Sequence, residues 1–123
     1  MTIQPHLVDL SSTKFDITHG APSDREVFSE WIELSIEATD DGRTYGGESF
    51  SVNVCSIGWI ARQVIDAGAR WGHGQLIVAR WDVSIIREHV KVICEWASAP
   101  DWPSIVARLS RYLIVDTVDF DPT

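Results

Sequence analysis

The chain has 123 residues, 45% of them hydrophobic, with six tryptophans, which is enough for one folded domain over residues 1–123 whose core needs neither disulfide nor metal. Ten Lys and Arg against 18 Asp and Glu leave a formal net charge of −8, a balance that repels nucleic acid and anionic membrane and favours a cationic partner. No run approaches the roughly 18 apolar residues of a membrane span, and Met1 to His6 lacks the basic and apolar regions of a signal peptide, so the expected setting is cytoplasmic.

Ile3 to Leu10 reads as a first strand, which Pro5 either places at a sheet edge or makes start late, because proline donates nothing to the ladder. Ser11 to Ser23 is polar and carries the turn signal His19-Gly20-Ala21-Pro22, so residues 1–25 are expected to form an edge strand and a mobile loop. From Ile32 the chain alternates. Ile32, Leu34, Ile36 and Ala38 face one way while Glu33, Ser35 and Glu37 face the other, as in a strand with one wet face. Thr39 to Gly47 turns the chain, and Phe50, Val52 and Val54 then alternate with Ser49, Ser51 and Asn53. The two runs make an antiparallel hairpin, their connection being too short for a crossover. Since that connection exceeds a two-residue turn, its Asp and Gly residues are expected to stand clear of the sheet.

Ile57 to Ala69 has helical spacing, with Ser56 as cap and Gly68 as stop. Gln75 to Trp81 is a short apolar run that suggests a central strand. Asp82 or Ser84 caps a helix from Ile85 to Ala97, whose apolar face includes His89 as a core residue. Asp101 caps a further helix with Pro103 in its first turn and a buried stripe of Ile105, Val106, Leu109, Tyr112 and Leu113. A last strand follows from Ile114. The order of strands, helix, strand, two helices and strand predicts an α+β fold, an antiparallel sheet with about three helices packed on it in a single domain.

Chemistry is sparse. His6, His19, His73 and His89 show no metal-ligand spacing to one another or to Cys55 and Cys94, so neither metal nor cofactor is expected. The two cysteines read as buried free thiols, with a disulfide as the less favoured alternative. Phosphate loops and acyl-nucleophile elbows are missing from the sequence. Carboxylates are abundant. Glu33, Glu37, Asp40, Asp41 and Glu48 make one candidate acidic face, and Asp116, Asp119 and Asp121 make a second. A hairpin tip and a chain end exclude water poorly, which favours partner recognition or a solvated surface over acid–base catalysis. Trp71, beside Gly72 and His73 in a turn, is the tryptophan expected to be exposed, and it joins His73 as a candidate contact.

Three segments carry a resemblance: Phe50 to Trp59 (FSVNVCSIGW), His73 to Arg80 (HGQLIVAR), and Trp102 with Leu109 to Leu113 (LSRYL). Taken in that order they resemble the immunity protein 8 family of bacterial polymorphic toxin systems. The likeness spans roughly residues 28 to 120, departing from the family's pattern at Ile114 to Asp116. It implies an α+β cytoplasmic protein, not an enzyme, that neutralises a cognate toxin by binding it. Joined to the charge, it predicts a basic toxin, a nuclease, captured on an acidic surface. Two rival readings are a small hydrolase or isomerase using His73 and an acid in a Trp-lined pocket, and an adaptor subunit using a sheet edge.

Overall fold

Residues 2–116 are described by a computed structural model of the chain. The elements are β1 (His6–Ser11), β2 (Ser29–Asp40), β3 (Arg43–Tyr45), β4 (Ser49–Ser56), α1 (Ile57–Ala67), β5 (Gln75–Val78), α2 (Val83–Trp96), α3 (Trp102–Leu109) and β6 (Ile114–Asp116). The fold is α+β. Six strands form the sheet in the order β1-β2-β4-β5, with β3 beside the end of β2 and β6 beside the start of β4. The sheet is antiparallel apart from the pair β4 and β5, which run parallel because α1 carries the chain over between them.

Period two along β2 and β4 decides what this sheet buries. Ile32, Leu34, Ile36, Ala38, Phe50, Val52 and Val54 all lie on one face and all are buried. From α2, Ile86, Val90 and Cys94 close over them, and from α3, Trp102, Ile105 and Leu109. Each such aliphatic or aromatic side chain contributes roughly 1.5–3 kcal/mol when fully buried. Both helices start on an aspartate cap: Asp82 accepts from the Ser84 amide at 3.0 Å and Asp101 from the Ser104 amide at 2.8 Å. The N-terminus is tied to the connection between these helices, where the Ile3 amide donates to the Ala99 carbonyl at 2.7 Å.

Several expectations need correction. The hairpin connection is tight, not open. Asp41 and Gly42, at φ of 50° and 77°, form the whole turn, and the strands resume at once with Asp40 opposite Arg43. Both central residues have positive φ, which is the demand of a type I′ turn and the reason Asp-Gly suits it. Residues 35–37 then lie opposite residues 46–49, so the second strand carries one extra residue and bulges at Gly46 and Gly47. The apolar run at β5 is an edge strand, not a central one, and Ile77 on it is exposed. Helix α1 buries no residue at all, and Ile65 is 80% exposed. As a crossover at the end of the sheet it leaves most of its apolar stripe uncovered. His89 and Tyr112 are also exposed, because the buried line of α2 runs through Ile86, Val90 and Cys94, and α3 ends at Leu109. In the segment expected as a loop, Ile17 is buried and the Phe15 ring meets Trp81 edge-on at 5.3 Å.

Candidate functional site

The other face of the same strands carries the candidate site. Trp31, Glu33, Ser35 and Glu37 alternate with the buried residues of β2 and so project away from the helices α2 and α3. Register then assembles their neighbours. Trp31 stands opposite Asn53 and Glu33 opposite Ser51, Gln75 of β5 is level with Asn53, and Asp116 of β6 is opposite Ser49. Among the described residues no helix seals the middle of this face, for Glu33 and Ser35 are exposed and Trp31 is 57% exposed.

One half of the open face is acidic. A groove of about 300 Å³ is lined by the carboxylate residues Asp9, Glu33, Glu37 and Glu48, with Ser11, Ser35 and Ser49 between them. The ion pairs among the described residues are Lys14 with Glu30 and His19 with Asp16, and neither involves this groove. Its like charges therefore face solvent uncompensated, each close pair repelling by about 1 kcal/mol or less in a watery dielectric. Glu48 is the anchored member. The Trp102 indole N–H donates to its Oε2 at 2.9 Å, and Trp102 is itself stacked on Tyr45.

The other half is aromatic. A second depression of about 300 Å³ is lined by Trp31, Ser29, Asn53 and Gln75 from the sheet and by Trp59, Arg70, Trp71 and His73 from α1 and the loop after it. Trp71 is 96% exposed. The Arg70 guanidinium sits 4.6 Å from the centre of the Trp59 ring, a cation–π contact that steadies this wall. Beneath it the floor is fixed by side-chain hydrogen bonds. The Asn53 amide donates to the Ser29 hydroxyl at 2.9 Å and the Gln75 amide donates to Asn53 Oδ1 at 3.2 Å.

The structure thus brings Glu33, Glu37 and Glu48 together and sets Asp116 at the edge of the same face. Trp71 and His73 lie at its aromatic end. Asp40 and Asp41 are apart, at the hairpin tip, with Asp40 in phase with buried Ala38 rather than with Glu37. Asp119 and Asp121 lie outside the described residues. Two contributors escaped the sequence reading. Trp31 was legible, since it is in phase with Glu33 and Glu37. Asp9 was not, because a register shift between Leu7 and Asp9 breaks the simple alternation of β1.

The remaining chemistry is quiet. His73 lines the aromatic depression and a separate cleft beside α2, and among the described residues no carboxylate lines either, so these residues assemble no His–acid pair of the kind a hydrolase requires there. Cys55 and Cys94 are both free and buried. Burial raises the Cys55 thiol and pushes that of Cys94 up to about 11, away from the thiolate form. Among the described residues no group of three or more His, Cys, Asp or Glu is placed to hold a metal, and no helix is long and apolar enough to cross a membrane.

Comparison with known proteins gives one finding. A family model described as Immunity protein 8 matches residues 6–116, which takes in every strand and helix above. No curated protein and no solved structure matches the chain.

Proposed function

The chain belongs to the immunity protein 8 family, and from that premise we propose that it captures a cognate toxin domain, a basic nuclease, on the open face of its sheet in the cytoplasm of the cell it protects. The observation that carries this reading is the groove of Asp9, Glu33, Glu37 and Glu48, unpaired by any described cation and continuous along β2 with Trp31.

Such a face has two tasks in binding. Its carboxylates raise the encounter rate with a cationic partner, which for steered complexes reaches about 10⁸–10⁹ M⁻¹s⁻¹ against an unsteered 10⁵–10⁶. They also mimic the phosphates that a nuclease must hold. Arg and Lys that would grip the nucleic-acid backbone donate to these carboxylates instead, bidentately from Arg and singly from Lys. Trp31 and Trp71 provide the desolvated anchors that slow release, since a few aromatic side chains carry most of an interface's energy. Asp116 extends the acidic half. Asp40 and Asp41 at the tip contribute to steering rather than to contact.

Stopped-flow association with the cognate toxin domain, run across a range of salt, tests the proposal. The rate is expected to fall steeply with added salt and to fall again in the Glu33→Lys, Glu37→Lys double variant. Rates indifferent to both changes would place docking on another surface.

A further inference from the structure

A second cleft lies outside the proposed toxin-binding groove, between β5, α2 and the turn at residues 110–113. Its volume is about 460 Å³, within the range of roughly 300–1,000 Å³ that small-molecule sites occupy. Leu76, Val90, Ile93 and Leu113 give it an apolar floor, and Val92, 57% exposed, stands at its rim. Its basic side chains are Arg111, His73 and His89. Among the described residues no carboxylate lines it.

The polar groups are held in place. Arg111 lies 5.6 Å from the centre of the Trp96 ring, and Trp96 is braced edge-on by Tyr112 at 5.5 Å. The carbonyl of Ile85 accepts only, so the 2.9 Å contact with His89 Nδ1 fixes that nitrogen as the protonated one. Gly74 shapes the third wall. Its φ is 74°, and a Cβ there would come within 2.5 Å of Ile114, so only glycine lets the loop pass this close to β6.

We propose that this cleft binds a small amphipathic anion, a carboxylate on an aromatic or branched aliphatic body. The apolar part sits over Ile93 and Leu113 and the carboxylate meets the Arg111 guanidinium, a permanent cation with donors in a fork that matches it. A neutral body of the same shape gains only the floor, and a cation meets Arg111 as a like charge. The inference goes beyond toxin neutralisation and stands whether or not the open face binds a toxin.

Three probes of one shape separate these cases: 2-naphthoate, 2-naphthylmethanol and 2-naphthylmethylammonium. Each is titrated by calorimetry and by methyl NMR of the whole protein. Naphthoate is expected to bind with shifts confined to Val52, Leu76, Val90, Val92, Ile93 and Leu113, the alcohol about tenfold more weakly and the ammonium more weakly still. Arg111→Gln should weaken naphthoate by about tenfold and leave the alcohol unchanged. Where Arg111→Gln disturbs folding, Arg111→Lys, which keeps the charge and loses the fork, is the second variant and should weaken naphthoate by about threefold with the alcohol unchanged. No methyl shift with naphthoate, shifts elsewhere on the molecule, or equal affinity for the three probes would overturn the assignment.

Discussion

The two faces of one sheet differ in almost everything except their strands. On the inner face, Ile32, Leu34, Ile36, Phe50, Val52 and Val54 are sealed under α2 and α3. There Glu30, in phase with them on β2 and short of the hairpin tip, is half-buried and matched by Lys14 at 3.6 Å. On the outer face, reached by stepping a single residue along β2, Glu33 and Glu37 have no described cationic partner and Trp31 is left uncovered. An unpaired charge is tolerable where water screens it and costly where it does not. The contrast separates residues that hold the fold from residues free to serve a partner, and it makes the two kinds of mutation separable.

The largest effect is expected on the inner face. Phe50→Ala removes a fully buried ring and should cost about 3–5 kcal/mol of stability in chemical denaturation. Any loss of toxin binding should then follow the unfolded fraction. The outer face should behave in the opposite way. Glu33→Lys with Glu37→Lys should alter stability by no more than about 0.5 kcal/mol, yet slow toxin association by about tenfold or more at low salt. Trp31→Ala should act on the dissociation rate instead, with a loss of about 2 kcal/mol in affinity and little change in melting temperature. If Trp31→Ala proved as destabilising as Phe50→Ala, the division between the faces would fail.

The hairpin tip provides a smaller and sharper test. Asp40→Asn with Asp41→Asn strips two charges while keeping a turn sequence that tolerates positive φ. Because these residues sit beyond the groove, association should slow by less than about threefold. A larger drop would move the interface toward the tip.

The smallest effect concerns acid. The Ser104 backbone amide, and after it the Ser104 side chain, hold Asp101 below the ordinary value of 3.8. The Ser84 side chain, followed by backbone amides of α2, does the same for Asp82. A carboxylate depressed on folding stabilises fully above 3.8, and that contribution is lost as pH falls through the lower folded value. Melting temperature should therefore decline below about pH 4 in the native chain. The decline should be shallower in Asp101→Asn, whose amide oxygen still caps α3 at every pH.

Much of the fold was legible because periodicity is a local property. The alternation from Ile32 and from Phe50 located both long strands and told their faces apart. Ser56 and Asp101 announced two helix starts and Asp82 was one of two residues offered for a third, and each of the three side chains does accept from its helix's first turn. What failed depended on neighbours. An apolar run such as Leu76 to Val78 reads alike at the centre or the edge of a sheet, and only pairing decides. The stripe of α1 has helical spacing, but nothing in the sequence says whether a second layer lies against it. The candidate site was half legible. Glu33 and Glu37 fall on the wet face by counting, whereas Asp9 and Asp116 reach it only through strand pairing across distant segments.

The tryptophans allow the two faces to be read in one experiment. Trp31 and Trp71 border the open face, while Trp81 and Trp102 are buried in the core. The measurement is the set of indole N–H signals of the isotope-labelled protein, recorded as unlabelled cognate toxin is added. Docking on the open face predicts that the signals of Trp31 and Trp71 move or broaden while that of Trp81 holds its position. Unmoved Trp31 and Trp71 signals in a saturated complex would contradict it.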